Sequence, residues 1–256
     1  APGRDADFIL VDDLKAFRVR KVFTAGRLIA EDGRILIPLD DAAAGAPSHS
    51  IHLKPLDEDA LSLPVRTGKA RVIGIEPASL VTKSLVREVK TDDAGCFQSA
   101  LNPGLTKIAV IERHKRTGKL GIGILEGYGL TGGAIATTIS HDSHNIVVAG
   151  DNDPDMLLAV RELADMGGGI VSVHGGAIRR LPLPIAGLMT SADPQEVNAV
   201  LHDMLVAARA ELGIPEDVEP FMTLSFMALP VIPELKLTAR GLFNVNTFSF
   251  VGVEAD

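Results

Sequence analysis

The sequence is short of the residues that mark several protein classes. One cysteine, Cys96, stands in 256 residues, so neither a disulfide framework nor a Cys-cluster zinc or iron–sulfur site can be built. Tryptophan is absent and tyrosine occurs once, at Tyr128. No stretch of about 18 apolar residues and no signal peptide is visible, so a cytoplasmic protein with no membrane partner is expected. Runs of Lys or Arg are also missing. With 25 Lys+Arg against 33 Asp+Glu, the formal net charge of −8 argues against a nucleic-acid or anionic-membrane surface. There is no initiator methionine either. The chain opens Ala1-Pro2-Gly3-Arg4 and runs almost at once into a strand, which reads as the back part of something longer.

What is present describes a folded protein. A hydrophobic fraction of 46% with 23% charged residues is too apolar for a disordered chain, and the length suits one large domain or two small ones. The first 40 residues read as a β-meander: Phe8-Ile9-Leu10-Val11, Phe17 to Phe23, Arg27 to Ala30 and Ile35 to Ile37, turned by Ala25-Gly26 and Asp32-Gly33. A small, turn-rich stretch around Asp40 to Ser50 then suggests a linker, placed over 41–62. Beyond it, strands are expected at Arg71 to Ile75, Lys107 to Glu112, Gly121 to Glu126 and Ala134 to Ser140.

Two helices carry start and stop signals. Asp153-Pro154 reads as an N-cap with Pro at the first helical position, followed by the stripe Met156, Leu157, Val160, Leu163 and Ala164 and closed by Gly167. Asp193-Pro194 with Glu196 opens a second helix, with a face from Val197 to Leu212 and Gly213 at its end. Gly169 to Val173 and Ala177 to Leu181 flank Gly175-Gly176 as a hairpin. Pro230 and Pro233 rule out a continuous helix or central strand through the apolar tail. The fold class expected is therefore α+β: a mostly antiparallel sheet with helices packed on it, on one face, preceded by a short all-β segment.

Few residues qualify for chemistry. Ser140-His141-Asp142-Ser143-His144-Asn145 is the densest polar cluster, and it joins two β-branched runs. His141 and His144 would share a face on a helix and oppose each other on a strand, while a tight loop could bring them together. Two His and an Asp could ligate a metal, one His could act as acid or base oriented by Asp142, or the cluster could be a hydrogen-bonded turn. Glu112 and His114, two apart in ERHKR, would share a face on a strand and face the same pocket, or form a solvated strand end. His49, His52, His174 and His202 carry no such pattern. The glycines of 118–133 do not make a dinucleotide loop, Gly167-Gly168-Gly169 lacks the Lys-Ser/Thr of a phosphate loop, and Gly-x-Ser-x-Gly is absent.

Several longer strings are recognisable together. VIERHKRTGKLGIG (110–123), LTGGAIATTISHDSHNIVVAGDND (130–153), GGGIVSV (167–173), LPLPIAGLM (181–189) and FMTLSFMALPVIPELKLT (221–238) resemble the C-terminal region of bacterial adenine deaminases, in the metal-dependent amidohydrolase superfamily. The resemblance runs from about residue 70 to the end. Gly3 to Leu10 with Gly26-Arg27-Leu28 is similar to the closing β-segment of an amidohydrolase β-sandwich.

The resemblance implies adenine as substrate, hydrolysed to hypoxanthine and ammonia in a homo-oligomer, with manganese or iron in a (β/α)₈ barrel. No His-x-His occurs in this chain, and such a barrel needs about 200 residues more, so neither metal is expected to be bound by this chain. The implied organisation is 1–40 as the end of the β-sandwich, 41–62 as linker and 63–256 as the C-terminal domain, whose partner is the barrel. Under the resemblance His141, Asp142, His144 and Asn145, with Glu112 and His114, form a polar wall or supporting layer near the barrel mouth. The alternative is a non-catalytic oligomerisation or small-molecule-binding module.

Overall fold

The computed structural model describes residues 2–38, 45 and 47–255. Residues 41–44 and 46 of the expected linker, 41–62, lie outside them. The chain divides into two compact units, Ala1–Ala44 and Gly45–Asp256.

The smaller unit is a four-stranded antiparallel meander of β1 (Phe8–Val11), β2 (Val19–Thr24), β3 (Arg27–Glu31) and β4 (Arg34–Ile35), in that order. Its hairpins close through Ala25-Gly26 and Asp32-Gly33, each pair with both φ values positive. That is the turn whose twist matches paired strands. Among the described residues of this unit no side chain is buried, and Phe8, Leu10, Leu14, Phe17, Ile35 and Leu36 are all exposed.

The larger unit is built on an eight-stranded sheet. Its strands are β5 (Lys69–Ile75), β6 (Thr82–Glu88), β7 (Leu105–Ile111), β8 (Leu120–Glu126), β9 (Gly133–Thr137), β10 (Ile146–Gly150), β11 (Gly169–His174) and β12 (Ala177–Pro182). They lie in the order β12-β11-β9-β10-β7-β8-β5-β6, and every pairing except β5 with β8 is antiparallel. Helices α1 (Asp153–Asp165), α2 (Pro194–Ala210) and α3 (Pro220–Met227) and a small sheet of β13 (Leu235–Thr238), β14 (Gly241–Asn244) and β15 (Ser249–Phe250) complete it. The architecture is α+β, as the sequence suggests.

The helices lie on both faces of the sheet rather than one. Ala109, Ile111, Ala136, Ile146, Val148 and Val171 pack with Met156, Val160 and Leu163 of α1. Their alternates Ile108, Val110, Ile135, Val147 and Ile170 pack with Met204 and Ala208 of α2, Leu224 and Met227 of α3, and Leu235 and Leu237 of β13. Side chains alternate across a strand, so burial on both sides requires nearly continuous apolar runs. Those runs (KIAVI, AIAT, IVVAG) do not say which helix covers which face.

Local signals explain the ends of α1. Asn152 rather than Asp153 is its N-cap, with Oδ1 accepting from the Asp155 N–H at 2.9 Å. Asp153 instead takes the buried Lys107 Nζ at 2.6 Å, tying the helix start to β7. At the other end the Gly168 N–H donates to Leu163 O and the Gly167 N–H to Ala164 O, with Gly167 at φ 82°, a Schellman cap. Residues 50–62, expected in the linker, pack on the larger unit because Leu61 is fully buried and Leu53 and Leu56 are partly so.

Gly121 sits in β8, where the small sheet approaches most closely. A Cβ there would lie 2.1 Å from Thr238 O, whereas one at Gly123 would meet Leu237 at 3.5 Å. Gly121→Ala is therefore expected to destabilise the chain by about 2–3 kcal/mol through overpacking, and Gly123→Ala by under about 1 kcal/mol. Urea denaturation of the two variants reads the difference, and equal costs would contradict the close approach.

Candidate functional site

One end of the large sheet collects the polar residues. β7 pairs with β10 so that Ile111 stands opposite Ile146, and Thr137 at the end of β9 stands opposite Val147. The loop leaving β7 (112–119) and the loop joining β9 to β10 (138–145) therefore emerge side by side. The turn after β12 reaches the same end, since Gly169 pairs with Pro182 and Thr138 N–H donates to Gly169 O.

The 138–145 loop is a tight turn. His144 N–H donates to Ser140 O at 2.7 Å, and His144 itself is left-handed at φ 47°. His141 N–H donates to Ser225 O near the end of α3, and its ring stacks on Phe226 with centroids 4.6 Å apart. Asp142 is an exposed residue whose Oδ1 lies 3.4 Å from His141 Nδ1, with its side chain 86% accessible. A contact that long and that solvated orients an imidazole weakly. His114, also exposed, places Nε2 2.8 Å from Ser143 O, which joins the two loops. His114, His141 and His144 are thus gathered at one sheet end, as the loop reading allows.

Glu112 plays a different part from the one its spacing suggests. β7 ends at Ile111, so Glu112 and His114 share no strand face. The Glu112 carboxylate instead gathers its own loop, accepting from the N–H groups of His114 (2.6 Å), Lys115 (2.8 Å) and Thr117 (3.0 Å) and from the Thr117 hydroxyl (2.8 Å). Burial alone would raise its pKa. The four hydrogen bonds to the ionised form outweigh that and hold it at about 2.

Three polar atoms near this end lie buried without a hydrogen-bond partner among the described residues: Ser140 Oγ, His144 Nδ1 and Asn145 Oδ1. An unpartnered buried polar atom costs about 1–3 kcal/mol, so three within six residues mark a place held for something other than stability. Burial lowers the His144 pKa most, and the charge of Arg113 lowers it further, so the ring is neutral near pH 7. A neutral imidazole accepts a proton or hydrogen bond at one ring nitrogen and donates a hydrogen bond from the other.

Sequence reasoning passed over Arg113, which lies inside the charged run ERHKR yet is only 1% exposed. It also passed over Phe226, which supports His141 from an element 85 positions away (226 − 141). No local pattern separates Arg113 from its solvated neighbours. Outside this end, His174 Nδ1 meets Gly132 O at 2.8 Å, and His49, His52 and His202 are exposed. A cavity of about 850 Å³ between 67–69, 87–90 and 101–105 shares no residue with the histidine loops.

The donor set does not fit a resident metal. Among the described residues no group of three or more His, Cys, Asp or Glu is placed to hold a metal ion. Nor is any helix among them long and apolar enough to cross a membrane.

An α+β domain presenting a histidine-bearing loop at one sheet end is the class that fold and site define. Residues 79–249 match the family model described as the adenine deaminase C-terminal domain, and the chain belongs to that family. It is 58% identical over 254 residues to the adenine deaminase of Nitratidesulfovibrio vulgaris strain Hildenborough, a match covering 99% of this chain and 44% of that protein. Adenine deaminase 2 of Carboxydothermus hydrogenoformans is 45% identical over 257 residues, covering 99% and 44%. The Geobacillus kaustophilus adenine deaminase is 44% identical over 260 residues, covering 100% and 44%. The chain spans less than half the length of these curated relatives.

The Glu112 carboxylate carries a pH prediction. Its pKa is depressed on folding, so the stabilisation is complete above the ordinary value of 4.5 and is lost as pH falls toward about 2. Glu112→Gln is expected to cost about 1–2 kcal/mol at pH 7 and much less near pH 2. Urea midpoints measured across that window test it, and a pH-independent cost would contradict the assignment.

Proposed function

We propose that this chain is the C-terminal portion of an adenine deaminase, a hydrolase converting adenine and water to hypoxanthine and ammonia. Its residues 63–256 supply a polar wall to a catalytic pocket. The names of its relatives support the reaction. The observation that carries the chain's own role is the cluster of unpartnered buried atoms, Ser140 Oγ, His144 Nδ1 and Asn145 Oδ1, beside the rings of His114 and His141. A purine offers ring nitrogens and an exocyclic amine that match such a mixed donor and acceptor set.

In this reading the neutral His144 accepts or donates a hydrogen bond to the substrate or to the departing ammonia. His141, braced by Phe226, and Asn145 orient the purine, with Asp142 and His114 at the solvent side. Glu112 shapes the loop that carries His114. Closing this end over the pocket removes water and strengthens each of these polar contacts. The manganese or iron that the resemblance implies belongs to the barrel, outside this chain, and no role of these residues passes through it. The meander of 1–40, with no buried side chain among its described residues, is suited to complete a β-sandwich with strands other than those among the described residues.

Ammonia release from adenine by the longer protein carrying this chain tests the reading. His144→Ala and His141→Ala are expected to lower kcat/KM by about tenfold or more. Unchanged turnover, with altered assembly or ligand binding instead, would assign the chain to a non-catalytic oligomerisation or small-molecule-binding module. No ammonia release from the unsubstituted longer protein would sink the deaminase assignment itself.

A further inference from the structure

Arg113 is a cation buried to 1% exposure, and each of its acceptors among the described residues is a neutral oxygen. Nε donates to the His144 carbonyl, Nη1 to the Ser50 carbonyl at 3.1 Å and to its hydroxyl at 3.0 Å, and Nη2 to the Ala186 carbonyl at 3.0 Å. The Arg113 carbonyl in turn accepts from His52 N–H at 2.7 Å. Ser50, His144 and Ala186, far apart in sequence, thus meet on one side chain, and His52 on the same residue's carbonyl.

The backbone around the fork is unusual in the same places. His144 at φ 47° and Ala186 at φ 57° are both left-handed without being glycine. Such residues persist where their surroundings over-determine them, and the carbonyls of both are held by the guanidinium. Gly187 completes the enclosure, for a Cβ there would lie 3.0–3.1 Å from Nη1, Cζ and Nη2. Burying an unpaired cation is costly, so its retention calls for a return that carbonyl dipoles alone do not give.

We propose that Arg113 is the positioning residue of this sheet end: its buried fork locks the 140–145 loop to the Ser50 and Ala186 segments and so holds the His144 ring in place with Nδ1 free to meet a ligand. The inference rests on the proposed function of this loop, but its test does not use turnover. A lysine could not replace the fork, since an ammonium offers a point charge without planar geometry. The charge also acts on the ring it positions. The charged or titratable groups facing His144 are Arg113, His141 and His114, which disfavour its protonation, and Asp142, which favours it.

Nuclear magnetic resonance titration of the histidines, with amide hydrogen exchange, tests this on the 256-residue chain. Arg113→Gln is expected to raise the His144 midpoint by about half a pH unit or more and to speed exchange through 140–145, with His174 and His202 unmoved. Arg113→Lys keeps a charge but not the fork, so the midpoint stays near wild type while exchange still rises. A wild-type midpoint and wild-type exchange in Arg113→Gln, with His174 and His202 native, would overturn the proposal.

If Arg113→Gln does not fold, Gly187→Ala decides, because it pushes on the fork and leaves the charge. Faster exchange through 140–145 then supports the proposal, and wild-type exchange refutes it. A longer protein inactive on adenine whose His144 titration still depends on Arg113 would sink the reaction alone.

Discussion

Strands β7 and β10 lie antiparallel at the centre of the sheet, Ile111 opposite Ile146, with apolar layers on both faces. That register is the constraint on which the polar end depends. It brings the loop after β7 beside the loop before β10, so Arg113 can reach the His144 carbonyl and His114 can reach Ser143. A slip of one residue would exchange the two faces of β10 and set its apolar alternation against the wrong layers. The same double burial that makes the register firm makes the loop end precise, since its anchors cannot rotate or slide.

The polar end is held by two contrasting devices. Glu112 is an anion satisfied by four donors of its own loop, and it organises a turn that could form with little help from the rest of the chain. Arg113 is a cation whose acceptors among the described residues all lie on segments distant in sequence, so it reaches its present state once the unit has closed. Between them stands His144, pressed toward neutrality by burial and then by the Arg113 charge. A low-dielectric setting makes each of these interactions stronger and each unpartnered atom more costly, which is why a loop of this kind is informative about function.

The two units differ in how far they satisfy themselves. The larger one has apolar layers on both sides of its sheet, closed by α1 on one and by α2, α3 and the tail sheet on the other. The smaller one is a well-formed meander with correct turns but no buried side chain among its described residues. Turn chemistry and alternation are enough to write a meander. They do not supply the second layer that would keep its Phe8, Leu10 and Phe17 from water.

Much of this was legible in the chain itself, because the signals are local. The Gly175-Gly176 hairpin, the positive-φ turns at Ala25-Gly26 and Asp32-Gly33, the Pro and Gly boundaries of α1 and α2, and the strands around KIAVI and IVVAG follow from periodicity and backbone sterics over a few residues. Family membership was legible for a similar reason, carried by contiguous strings.

Tertiary structure alone decided that helices cover both faces, that Asn152 rather than Asp153 caps α1, and that β7 stops at Ile111. It also decided that Arg113, alone within ERHKR, is buried while His114, Lys115 and Arg116 stay exposed. Whether a charge is solvated or enclosed depends on which distant segments close over it, and for Arg113 those are residues 50–52, 144 and 186, which no window around position 113 contains.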